Sequence, residues 1–190
     1  PSIDIVQKEL SNINEVNFKI EKNPHKKNIN TIQLSGINFS FEGKKNLYSE
    51  NNNLEIKKGD HIGIHGVSGS GKTTLINIIL GLIKPNLGKV LYNSDEIFIS
   101  NIREYYELIS FVPQDTILFN DTIKNNLLIG NESSSNEELL ESSKNANAHE
   151  FIINQEDQYE TLIGDQGNKL SGGQKQRLTI ARAMLKSPSI

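Results

Sequence analysis

The run Gly66-Val67-Ser68-Gly69-Ser70-Gly71-Lys72-Thr73 constrains this chain more than any other feature of its sequence. It fits the pattern G-x-x-x-x-G-K-[ST] and lies between a short apolar run, His61-Ile62-Gly63-Ile64-His65, and a stretch with helical spacing of apolar residues at Leu75, Ile76, Ile79 and Leu80. The spacing has a chemical reason. Glycines let successive backbone N–H groups curl around phosphate oxygens with no Cβ in the way. A helix opening near Lys72 adds its positive end to that nest. Lys72 supplies a point charge for β- and γ-phosphates, and the Thr73 hydroxyl can ligate Mg²⁺. The candidate binding set is Gly66, Ser68, Gly69, Ser70, Gly71, Lys72, Thr73 and Thr74.

The rest of the chain alternates strand and helix patterns. Residues 1–30 are polar, with Ile5, Val6, Leu10 and Ile13 spaced for a short amphipathic helix and a linker through Asn23-Pro24-His25-Lys26-Lys27. Ile32, Leu34, Ile37, Phe39 and Phe41 read as a strand kinked near Gly36, followed by a turn at Glu42-Gly43-Lys44-Lys45. Leu54-Glu55-Ile56 begins another strand, and His61–His65, Lys89–Tyr92 and Leu108–Val112 read as three more. Helices are predicted from Lys72 to a C-cap at Gly81, across Asp121–Phe151 with a polar break at Asn131–Asn136, and over Gly172–Leu185. Such alternation predicts an α/β core.

Composition narrows the function classes. A length of 190 residues suits one domain with a real core. The formal net charge of −3 gives no electrostatic pull toward nucleic acid, so none is expected as a partner. The absence of cysteine leaves no disulfide framework and no thiolate metal site. No segment approaches the roughly 20 apolar residues that cross a bilayer.

A second place for an anion lies far along the chain. Leu170-Ser171-Gly172-Gly173-Gln174 precedes the last predicted helix, with Ser171 at the N-cap and two glycines exposing backbone N–H groups. Taken together with the phosphate loop, this pentapeptide resembles the signature motif of ABC ATPases. Between the two motifs, Phe111-Val112-Pro113-Gln114-Asp115-Thr116-Ile117-Leu118-Phe119 resembles the Q-loop of that family, with Gln114 as its glutamine. The resemblance runs from about Ile32 to Ile190 and implies a P-loop NTPase (RecA-like) α/β core carrying an antiparallel β subdomain and a helical subdomain. It further implies a head-to-tail dimer of two ATP-binding domains. In it, Ser171, Gly172, Gly173 and Gln174 of one domain face the phosphate loop of the other and ATP is held between them.

The resemblance also assigns roles. Lys72 and Gln114 take the catalytic positions, Thr73 and Gln114 hold Mg²⁺, and Phe41 stands where the family stacks an aromatic ring on adenine. Leu118-Phe119-Asn120-Asp121-Thr122-Ile123 and Ala146-Asn147-Ala148-His149 resemble exporter sequences in particular. Thr161-Leu162-Ile163-Gly164-Asp165-Gln166-Gly167 occupies the place of the exporter loop T-E-V-G-E-R-G and departs from it at Leu162, Asp165 and Gln166. Residues 1–30 then stand as a linker from a transmembrane domain and 31–190 as an ATP-binding domain. That domain is expected to stop before the strand bearing the Walker B carboxylates. The implied protein is an exporter motor at the cytoplasmic face of the inner membrane, anchored through a fused transmembrane domain. The rivals are an ABC ATPase outside transport and a nucleotide-binding fragment without turnover.

Overall fold

A computed structural model describes residues 28–41, 47–48, 53–98 and 102–190. The helix and linker expected within residues 1–27 and the turn at Glu42–Lys45 lie outside the described residues. The described chain forms β1 (Thr31–Asn38), β2 (Leu54–Lys57), α1 (Lys72–Ile79), β3 (Leu87–Tyr92), β4 (Asp95–Glu96) and α2 (Ile102–Leu108). It continues through α3 (Ile123–Leu128), α4 (Asn136–Asn145), α5 (His149–Ile153) and α6 (Gly172–Leu185), with two 3₁₀ turns before α6.

The four strands make one antiparallel sheet in the order β2-β1-β3-β4. Its central strand β1 buries Ile32, Leu34 and Ile37, a spacing that strict alternation forbids. A bulge between Ser35 and Asn38 resolves the conflict, because one extra residue restores Ile37 to the core face. That bulge accounts for the kink anticipated at Gly36, and it crowds the opposite strand. A Cβ on Gly88 would lie 2.5 Å from the carbonyl oxygens of Ser35 and Gly36, so only glycine fits there. The buried face of the sheet packs Val90 and Tyr92 with Ile78 of α1 and Tyr105 and Leu108 of α2.

A second core gathers Ile123 and Leu127 of α3, Leu139 of α4, Ile152 of α5 and Leu178, Ala181 and Leu185 of α6. The helical break expected at 131–136 is present as the turn between α3 and α4, where Ser135 caps α4 in a reciprocal pair with Glu138. The two cores meet where Ser110 Oγ donates to the Ala183 carbonyl at 3.0 Å and Lys186 Nζ donates to the carbonyls of Tyr106 and Ile109. An apolar groove of about 520 Å³ opens at this junction, lined among others by Leu80, Tyr106, Phe111 and Ile129.

Two predicted strands are corrected. His61–His65 is irregular, and both Ile62 and Ile64 are exposed. Leu108–Val112 is the end of α2 followed by irregular chain. A strand exists only through its ladder, and no strand pairs with 61–65 among the described residues. The second segment finds only a short partner, since Ser110 N–H donates to the Ile190 carbonyl and Ser189 N–H to that of Leu108. The α/β core expected from strand and helix alternation is therefore present as helices packed on an antiparallel sheet, without strands at 61–65 and 108–112 among the described residues. Among them, no helix is long and apolar enough to cross a membrane.

Candidate functional site

The phosphate loop takes its shape from backbone conformations that glycine permits. Gly69 and Gly71 sit at φ values of 79° and 91°, in the left-handed region that penalises a Cβ. Ser70 N–H closes a turn onto the Val67 carbonyl at 3.2 Å. The loop then enters α1 with Gly71 as N-cap, without a capping side chain and without an acid in the first turn. Among the described residues no side chain caps the first-turn N–H groups of α1, the arrangement at a helix start that binds anions.

Lys72 Nζ donates to the carbonyls of Gly66 and Val67, both at 2.9 Å. Those two bonds hold the ammonium over the loop mouth, where a phosphate would replace the carbonyls as its partner. The far end of α1 is fixed as well. Gly81 N–H bonds to the Ile78 carbonyl and Leu82 N–H to that of Asn77, the paired closure of a left-handed helix end. Tyr105 Oη donates to Ile79 and Tyr106 Oη to Gly81, so α2 grips the last carbonyls of α1.

The other predicted residues are spread over the molecule. Phe41 lies just beyond β1, half exposed, with its ring edge-on to Phe39 at 5.0 Å. Thr73 is exposed and Thr74 half-buried on the first turn of α1. Gln114 sits in an exposed bend between α2 and α3. Ser171 is the N-cap of α6, as its sequence position predicts. Its Oγ accepts from Gln174 N–H at 3.3 Å while Gln174 Oε1 accepts from Ser171 N–H at 2.8 Å. Gly172 and Gly173 are exposed, and a Cβ on either would meet nothing. Among the described residues no hydrogen bond, ion pair or ring contact joins Ser171–Gln174 to the phosphate loop. The structure thus assembles Gly66–Thr73 into one nest and leaves the signature turn as a separate, open one. Ser171→Ala should cost about 1 kcal/mol through loss of the cap. It should lower the melting temperature by about 2–4 °C, and an unchanged transition would show that the cap does not hold α6.

Among the described residues no group of three or more His, Cys, Asp or Glu side chains could hold a metal. Thr73 carries a hydroxyl and Gln114 an amide oxygen, neutral donors of the kind that would suit an ion keeping several waters and taking most of its remaining ligands from nucleotide phosphates.

Sequence reasoning missed three residues. Tyr48 donates its hydroxyl to the Gly71 carbonyl at 2.8 Å. Asn126 and Arg182 form a hub that ties α3 and α6 to the backbone of Ile117 and Phe119. Arg182 Nε and Nη2 donate to the Asn126 carbonyl and Oδ1, and Nη1 to the Ile117 carbonyl, at 2.8 to 3.1 Å. Asn126 in turn exchanges two bonds of 2.9 Å with the Phe119 backbone. Burial holds the Arg182 pKa below the ordinary arginine range. Asn126 left a faint signal, since it is a polar residue one helical turn from Ile123 and beside Leu127 on an apolar stripe. Tyr48 left none.

Known proteins resemble this chain closely. The family profile described as ABC transporter matches residues 49–190. An uncharacterized ABC transporter ATP-binding protein of Sinorhizobium fredii is 42% identical over 159 residues, 84% of this chain and 27% of that protein. An ATP-dependent lipid A-core flippase of Syntrophus aciditrophicus is 40% identical over 159 residues, 84% of this chain and 26% of the flippase. A solved structure of a bacterial Atm1-family ABC exporter with ATP bound superposes with a TM-score of 0.79 at 31% identity, covering 85% of this chain and 28% of the exporter. The chain spans about a quarter of the length of these relatives.

Proposed function

Because this chain belongs to the ABC transporter family, we propose that it is the ATP-binding and ATP-hydrolysing motor domain of an exporter, coupling nucleotide binding and hydrolysis to movement of a substrate across a membrane. The observation that carries the reading is the phosphate nest, with uncapped N–H groups at the start of α1 and Lys72 poised over them. Phe41 stacks on adenine, Lys72 meets the β- and γ-phosphates, and Gln114 approaches the γ-phosphate. Thr73 and Gln114 would hold Mg²⁺, which supplies neutralisation of phosphate charge when bound.

The open signature turn supports a dimer. Gly172 and Gly173 are exposed and meet no part of the described phosphate loop, so an ATP phosphate that touches both kinds of nest would find the second on another copy placed head to tail. ATP then acts as the adhesive between copies, and its hydrolysis releases them. In this reading the antiparallel sheet and the helical body correspond to the subdomains attached to a RecA-like core. The relatives of greater length include a flippase and an exporter, which supports a fused transmembrane domain. In this reading the motor domain lies at the cytoplasmic face of the inner membrane. The groove at the junction of the two cores is the apolar surface on which such a partner would seat.

Titration of Mg-ATP into the protein tests the reading, with adenosine as the ligand that lacks phosphates. ATP should bind and adenosine should bind far more weakly, whereas equal affinity would remove the phosphate nest from the account.

A further inference from the structure

We infer that Tyr48 is a positioning residue of the phosphate loop, tuning through one hydrogen bond the backbone N–H that receives the phosphate. The inference rests on the nucleotide-binding reading above. Tyr48 reaches the loop from a different part of the chain. The residue before it, Leu47, donates its N–H to the Phe39 carbonyl at 2.9 Å, which fastens this segment beside the end of β1. The Tyr48 side chain then packs against the core between sheet and helix and delivers its hydroxyl to Gly71.

The acceptor decides what the bond does. The Gly71 carbonyl accepts at 2.8 Å from Leu75 N–H, the first bond of α1, and at 2.8 Å from Tyr48 Oη. The same peptide unit carries the Lys72 N–H, one of the donors left without an intrahelical partner. A donor on a carbonyl draws electron density through the amide and makes the N–H at its other end a better donor, as in any polarised chain of hydrogen bonds. Phenol, carbonyl and amide therefore form one relay ending on the bound phosphate.

The packing fits that use. A Cβ on Gly71 would stand 3.3 Å from the Tyr48 hydroxyl oxygen and 3.4 Å from its ring. Gly71 is thus constrained twice, by its left-handed φ of 91° and by the ring lying on it. Burial also raises the Tyr48 pKa, which keeps the phenol protonated and able to donate. Because the loop residues Gly66–Ser70 are exposed, few other contacts hold this peptide in place, and the hydroxyl is the side-chain anchor it has among the described residues.

The experiment is nucleotide binding to the full-length protein by calorimetry, comparing wild type, Tyr48→Phe, and 3-fluorotyrosine in place of Tyr48. Phenylalanine removes one oxygen, so ATP and ADP affinity should both fall about three- to tenfold, the range of a single net hydrogen bond. Fluorination at a pH below its own ionisation keeps the shape and strengthens the donor, so binding should exceed that of wild type. A purely structural tyrosine would not respond to donor strength. Wild-type affinity in Tyr48→Phe, or affinity no higher than wild type in the fluorinated protein, would overturn the inference while leaving the ATP-binding reading intact. If Tyr48→Phe fails to fold, the fluorinated protein still decides. A wild type that binds neither nucleotide would overturn the functional reading and this inference with it.

Discussion

Lys72→Ala is expected to weaken Mg-ATP binding by about one to two orders of magnitude and to leave the melting temperature of the nucleotide-free protein nearly unchanged. The first part follows from the strength of hydrogen bonds to charged groups, about 1.5–3 kcal/mol, with each 1.4 kcal/mol worth a factor of ten. The second part follows from where the lysine sits. Its present partners are the carbonyls of Gly66 and Val67, in a loop whose residues are exposed, so water can replace the ammonium at little cost. Calorimetry and thermal unfolding on the same protein separate the two effects. A large fall in melting temperature would mean that Lys72 holds the loop together, and its role as a phosphate ligand would have to be argued again.

Asn126→Ala should give the opposite pattern, a large loss of stability with the phosphate nest unaltered. Asn126 is 1% exposed and stands between α3, α6 and the segment that follows Gln114. Truncation leaves the Phe119 N–H and carbonyl without their side-chain partner and removes one acceptor from the Arg182 guanidinium. These bonds are part-buried, so stranding their partners costs less than the roughly 1–3 kcal/mol of each fully buried polar group, and about 2 kcal/mol in total is expected. For a domain of this size that corresponds to a fall of about 4–8 °C in melting temperature. Arg182→Lys should reproduce part of the loss, because an ammonium cannot match a planar fork that reaches three acceptors at once. The two changes share partners, and the double variant should lose less than the sum. A melting temperature within about 1 °C of wild type for Asn126→Ala would show that water substitutes for the amide and that the hub is not a structural tie.

These two variants separate what a reader of the sequence could see from what only folding supplied. The phosphate loop, Lys72 and the Ser171 cap were legible because each is a local device. A left-handed φ, a helix N-terminus and a capping box are set by residues within a few positions of one another, and their chemistry follows from identity and spacing. The helices at 72–79 and 172–185, the break near 131–136 and the kink at Gly36 were legible for the same reason. The segments 61–65 and 108–112 were misread because apolar alternation specifies a face and not a partner, and a strand is defined by the neighbour it bonds. Helix α2 went unseen because residues 102–108 carry one buried and one half-buried tyrosine whose hydroxyls belong to carbonyls at the end of α1, more than twenty residues earlier in the chain. Tyr48 on Gly71 and Arg182 on Asn126 join residues 23 and 56 positions apart. Nothing in local spacing encodes such pairs. Tertiary packing decided them, since a buried carbonyl or guanidinium must find a partner wherever the folded chain places one.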